Sequence, residues 1–225
     1  MVRGFNSKQQ EKGGDCMDRD QYVNEWFAQE DDVLQSITVG LKKREMPQIS
    51  VPPSVGKALY MLVKICGAHN VLEIGGLGGY SSIWMARALP SDGHLISLEI
   101  NPDHAAFAVE NVEKAGLSNK VRYQVGDARK SLESLESQRK QFDFFFIDAD
   151  KESYPYYLEK AIRMSTPGAL IVMDNMFLQD RIFDSSNQDS DVEGIRRTNN
   201  LLSQDEHLDA TLLTVGDGLA VARVK

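Results

Sequence analysis

Five short apolar runs mark the middle of the chain: VLEI (71–74), LISLEI (95–100), VRYQV (121–125), FDFFFID (142–148) and ALIVMD (169–174). Most are bounded by Gly, Asn or Asp, and each is the length of a strand rather than a core helix. The segments between them, roughly 80–89, 102–115, 128–138 and 153–164, carry helical spacing. Alternating strands and helices predict right-handed βαβ units and a parallel sheet covered on both faces. The near-continuous apolar character of FDFFFI predicts a central strand buried on both sides. A helix around 192–203 then leads to ATLLTV (210–215), a GDG turn at Gly216–Gly218, and LAVARV (219–224). Asp-Gly between two such runs predicts an antiparallel hairpin. The expected fold is α/β and Rossmann-like: a seven-stranded, mostly parallel sheet ending in that hairpin.

Upstream of the sheet, Tyr22, Val23, Trp26 and Phe27 precede Val33, Leu34, Ile37 and Leu41 at intervals of three and four, which predicts two amphipathic helices. Pro47, Pro52 and Pro53 interrupt the chain, and a further helix is expected over 54–66 with Ser54 as its N-cap. Residues 1–17 are polar and read as a disordered leader. The chain thus divides into that leader and one domain over 18–225, with helices at 18–68 and an α/β core at 69–225.

Composition narrows the function classes. The net charge of −8 argues against a dedicated binder of nucleic acid or anionic membrane, whose affinity comes from clustered Lys and Arg. Lys64 interrupts the longest apolar stretch, so no membrane span is expected. The polar N-terminus lacks the apolar core of a signal peptide, and a cytoplasmic location is the expectation. Two cysteines, Cys16 and Cys66, are too few for a disulfide framework or a zinc cluster; Cys66 is expected to pack as a core hydrophobe and Cys16 to be free. Met61, Met85, Met164 and Met173 are expected to fill the core.

Chemistry concentrates at the strand ends. The first strand runs into VLEIGGLGGYSS, whose Gly75, Gly76, Gly78 and Gly79 would let the backbone approach a ligand and present helix N-terminal amides to it. Glu99, at the end of the second strand, is placed to accept the ribose hydroxyls of a nucleoside. The dinucleotide pattern G-x-G-x-x-G fails at its third glycine, where Ser81 stands. Glu73, inside the first strand, suits a cationic ligand better than a pyrophosphate, which favours S-adenosylmethionine. At IDADK (147–151) and MDN (173–175), Asp148, Asp174 and Asn175 close neighbouring strands. Two carboxylates and an amide suit a hard, octahedral divalent cation; the alternative is that they cap strand-to-helix turns. His69, His94, His104 and His207 are scattered at turns and helix ends with no metal-ligand spacing, and most of them are expected to be exposed. Tyr154, Tyr156 and Tyr157 are expected to pack or to line the rim. The polar loop 179–191 is a candidate wall for a second substrate.

With these motifs together — PQIS (47–50), LEIGGLGGYSS, LEINP (98–102), GDA (126–128), FIDADK, DN and the late GDG — the sequence over about 20–225 resembles the cation-dependent class I S-adenosylmethionine O-methyltransferases, the group of caffeoyl-coenzyme A and catechol O-methyltransferases. The resemblance implies metal ligation by Asp148, Asp174 and Asn175, with magnesium as the cation and manganese or calcium as substitutes. It assigns catalysis to Lys151 and Asp148. Donor contacts fall on Glu73, Gly75, Ser81, Glu99, Asp127, Ala128 and Asp148, and Ile49 and Val51 match the segment that closes over the donor. It further implies a small aromatic acceptor with two adjacent hydroxyls, and a homodimer. The chain departs from the plant pattern after Asp174–Asn175, where Phe177, Leu178, Gln179 and Asp180 replace a tryptophan-containing run. A carboxylate that catechol O-methyltransferase places near the second hydroxyl has no match by position. An NAD(P)-dependent oxidoreductase and a non-catalytic nucleoside-binding domain are the alternatives.

Overall fold

The structure is a computed structural model that describes residues 18–225; the expected leader and Cys16 lie outside them. Three helices come first: α1 (Arg19–Phe27), α2 (Asp32–Lys43) and α3 (Pro53–Cys66). The core then alternates β1 (Asn70–Ile74), α4 (Tyr80–Ala88), β2 (His94–Glu99), α5 (Pro102–Lys114), β3 (Val121–Val125), α6 (Ala128–Ser137), β4 (Phe142–Ile147), α7 (Tyr154–Met164) and β5 (Ser165–Met173). Helix α8 (Ser190–Gln204) precedes β6 (Leu208–Leu213) and β7 (Leu219–Val224). The strands form one seven-stranded sheet in the order β3-β2-β1-β4-β5-β7-β6. Strands β1 to β5 pair in parallel, and β7 enters antiparallel between β5 and β6. The order reverses between β2-β1 and β1-β4, and the gap outside the carboxyl ends at such a reversal is where ligands bind in open α/β sheets.

Alternation along β4 explains why that strand is so apolar. Phe144 and Phe146 face one side with Leu34, Ile37, Leu59, Ile83 and Phe107 from α2 to α5. Phe145 and Ile147 face the other with Leu132, Leu158, Ile195 and Leu202 from α6 to α8. Each such side chain contributes about 1.5–3 kcal/mol by leaving water, so this strand anchors both layers.

Three expectations are corrected locally. Helix α3 begins one residue early, with Pro53 in its first turn and Pro52 at the N-cap; Ser54 is therefore no cap, and its N–H is taken by Asn24 Oδ1 of α1 at 3.0 Å. Met61 is exposed rather than core, whereas Met85, Met164 and Met173 are buried. Cys66 is half-buried at the core's edge. Helix α1 buries none of its residues: Tyr22 and Trp26 stack with ring centroids 6.0 Å apart, and Trp26 and Phe27 stand 67% and 61% exposed. No helix among the described residues is long and apolar enough to cross a membrane.

Candidate active site

A cavity of about 930 Å³ opens at the carboxyl ends of β1, β2 and β4. Its floor is the glycine turn after β1. Gly75 has φ +94°, and a Cβ there would overlap the carbonyl oxygen of Asp148. Its glycine is required as much by the neighbouring strand end as by any ligand. Helix α4 starts at Gly79 with no side-chain cap, and Gly78, Tyr80 and Ser81 from this turn line the cavity.

Glu99 ends β2 on the cavity wall. Its Oε2 accepts from the Gly76 and Leu77 N–H groups at 3.2 and 2.8 Å, and its Oε1 from Asn101 N–H at 2.9 Å. The carboxylate is thus fixed by main-chain donors and ties the glycine turn to the second strand. His104 Nδ1 lies 3.6 Å from Glu99 Oε1, with its side chain 18% exposed, and also lines the cavity. His69, His94 and His207 are exposed, as most of the four were expected to be, whereas the first turn of α5 folds His104 back onto Glu99.

The Glu73 carboxyl does not reach the cavity wall but is fully buried behind it, accepting from the hydroxyls of Ser81 and Ser82. Side chains alternate along a strand, and residue 73 lies on the face covered by α4, where it meets that helix's first turn. Glu73 therefore holds Ser81, which does line the cavity. Burial pushes the Glu73 carboxyl up to about 7, against the pull of those two hydroxyls. The native state then holds a proton that the unfolded chain releases near its ordinary value, so stability falls as pH rises between about 4.5 and 7. Glu73→Gln has no such proton to lose. Denaturant unfolding is expected to show it gaining on the wild type by about 1–3 kcal/mol between pH 5 and pH 8; a difference independent of pH would contradict this.

Asp127 caps α6 through Arg129 N–H at 2.7 Å, and with Ala128 it lines the cavity. Ile49 and Val51, between α2 and α3, line it from the opposite side. Asp148, Lys151 and Asn175 complete the rim. Lys151 Nζ donates to Asp148 Oδ1 at 2.8 Å and to Tyr154 Oη at 2.6 Å. Tyr154 is fully buried, and its hydroxyl is within reach of the carbonyl oxygens of Ile147 and Asp174 at 3.2 and 3.1 Å. The tyrosine does more than pack: it fastens the lysine to the ends of β4 and β5.

Asp174 is 2% exposed, and its Oδ1 has no hydrogen-bond partner. Burial first, and the neighbouring Asp148 carboxylate second, push its carboxyl up to about 7. Among the described residues no group of three or more His, Cys, Asp or Glu side chains is placed to hold a metal. The oxygen set here is two carboxylates and the Asn175 amide. A buried carboxylate oxygen without a donor, beside a second carboxylate, fits a hard cation. One further residue escaped the sequence reading, while Tyr157 stands where a rim residue was expected. Asp217, read there only as a turn former, lines the cavity, as does Tyr157, whose hydroxyl donates to Asp150 Oδ1 at 2.6 Å.

The sequence profile of the O-methyltransferase family matches residues 24–225. The chain belongs to this O-methyltransferase family. A catechol O-methyltransferase of Niastella koreensis is 45% identical over 212 residues, which cover 92% of this chain and 96% of the relative. An O-methyltransferase of Bacillus cereus in complex with SAH superposes with a TM-score of 0.87 at 40% identity, over 92% of this chain and 96% of that one. One of Streptomyces achromogenes, in complex with SAM and involved in tomaymycin synthesis, reaches 0.86 at 35% identity over 92% and 95%. The O-methyltransferase thus has the enzymatic character and the sheet topology that its strand-end motifs led one to expect, and the oxidoreductase and non-catalytic alternatives fall away.

Proposed function

We propose that this O-methyltransferase transfers the methyl group of S-adenosylmethionine to one hydroxyl of an aromatic acceptor with two adjacent hydroxyls, assisted by a divalent cation. The observation that carries the reading is the meeting of two sites in one cavity: the Glu99 glycine turn on one side, and Asp148, Lys151 and Asn175, with the unpartnered Asp174 behind them, on the other. The SAH and SAM in the two similar structures support the donor, and the catechol O-methyltransferase relative supports the acceptor class.

Glu99 would take the ribose hydroxyls, and Ser81 and the start of α4 the methionine end of the donor. Asp148, Asp174 and Asn175 would hold the cation, magnesium in the first instance. When bound, it would supply positive charge that lowers the pKa of an acceptor hydroxyl and favours one orientation of the pair. The hydroxyl oxygen attacks the methyl carbon in line with the departing sulfur. A C–O bond forms as the S–CH₃ bond breaks, the sulfonium leaves as a neutral thioether, and the hydroxyl proton passes to the lone pair of Lys151 Nζ in its neutral form. Charge is neutralised in that transition state, so the closing segment with Ile49 and Val51 helps by excluding water.

A screen of catechols, caffeoyl conjugates and flavonoids for methylated product tests the reading directly; no product from any vicinal diol would contradict it. Glu99→Ala is expected to weaken SAH binding by about 1–3 kcal/mol in calorimetry, because the ribose hydroxyls and the Gly76 and Leu77 amides lose their acceptor together. Unchanged affinity would remove Glu99 from the donor site. The bare aromatic face of α1 supports a homodimer, and light scattering at micromolar concentration is expected to report one; a monomer would overturn that part.

A further inference from the structure

The loop after β5 holds four residues with side chains in the left-handed region: Asn175 (φ +59°), Leu178 (+49°), Gln179 (+54°) and Asp180 (+63°). Asn and Asp enter this region readily, but for Leu178 and Gln179 it is unfavourable and persists only where the surroundings impose it. The imposing element is the β6–β7 turn. Met176 N–H donates to Gly218 O at 3.0 Å and Phe177 N–H to Asp217 O at 2.9 Å. Gly218 (φ +85°) sits so close that a Cβ would lie 2.7 Å from the Phe177 ring. These grips are main-chain and end at residue 177. Beyond it, the turn's hold on the strained stretch is the Asp217 side chain, whose two carboxylate oxygens accept from Gln179 N–H at 2.9 and 3.0 Å. Asn175, Leu178, Gln179 and Arg181 of this loop line the cavity beside Asp217 itself.

We infer that Asp217 is a positioning residue that decides which of the two acceptor hydroxyls is methylated. Its carboxylate locks Leu178–Asp180 into the conformation that forms the acceptor wall. Two adjacent hydroxyls differ only in which way the ring's substituent points, so a fixed wall on one side of the ring separates them where the cation and the lysine do not. The inference rests on the vicinal-diol reading above. It gives the GDG turn a task that turn formation alone does not explain.

The test compares wild type, Asp217→Ala and Asp217→Asn with 3,4-dihydroxybenzoate. Four quantities are read: amide hydrogen exchange at Gln179, the ratio of 3-O- to 4-O-methyl product, acceptor KM, and SAH affinity. Asp217→Ala is expected to exchange the Gln179 amide about tenfold faster or more, to move the product ratio toward unity by about threefold, and to raise KM about fivefold. SAH affinity should stay within about twofold, because the donor's contacts lie on other elements. Asp217→Asn keeps one acceptor oxygen and should fall between the two. Unchanged exchange at Gln179 overturns the inference, and so does faster exchange with an unchanged product ratio. A loss of SAH affinity equal to the rise in KM also overturns it, since that marks general loosening. If the wild type methylates no catechol, the functional reading fails and with it the claim on product choice, while exchange at Gln179 still tells whether Asp217 is the brace.

Discussion

Asp174→Ala is expected to reduce methyl transfer by about a hundredfold or more, since loss of even an outer partner of a metal site costs up to that. The same variant, and Asp174→Asn more cleanly, should leave the metal-free fold as stable as the wild type or more so. The wild-type carboxylate is buried with one oxygen unpartnered beside Asp148, and removing an uncompensated buried acid relieves the fold. Thermal melts should therefore separate two roles. Magnesium is expected to raise the wild-type melting temperature by mass action on the native state and to leave Asp174→Asn unmoved. Were Asp174 only a turn cap, both variants would melt lower with or without magnesium, and activity would fall no further than stability.

Lys151→Ala should behave differently. Donor and cation sites are left standing, so SAH affinity and the magnesium-induced shift should persist, while kcat falls by about 10²–10⁴, the range for losing a positioned proton-transfer group. Raising the pH should recover part of kcat as the acceptor ionises unaided. A kcat loss that is constant from pH 7 to pH 10 would assign Lys151 to positioning Asp148, with which it already pairs at 2.8 Å.

Much of this architecture could be read from the chain because its signals are local. The runs at 71–74 and 142–147 are nearly continuous and apolar because their strands are covered on both faces, and the acidic residues at their ends are placed by strand direction alone. Where the reading slipped, the deciding partner was distant in sequence. Ser54 looked like a cap, but Asn24, 30 residues away, takes its N–H. How Glu73 meets the glycine turn was not legible either, because its hydrogen bonds to Ser81 and Ser82 depend on where α4 packs. Nothing in the sequence told His104 from the three exposed histidines, because the difference is made by α5 turning it onto Glu99. Asp217 carried only the signature of a turn, because nothing in GDG says that a loop 38 residues upstream will lean on it.

The central claim is cation-assisted methyl transfer to a vicinal diol at the junction of Glu99 with Asp148, Asp174 and Asn175. Its most direct test is transfer of labelled methyl from S-adenosylmethionine to catechol, with magnesium and again in excess chelator, alongside SAH calorimetry under both conditions. The account predicts methylated catechol with magnesium, none with chelator, and SAH affinity nearly the same in each. Undiminished methylation in excess chelator would contradict it.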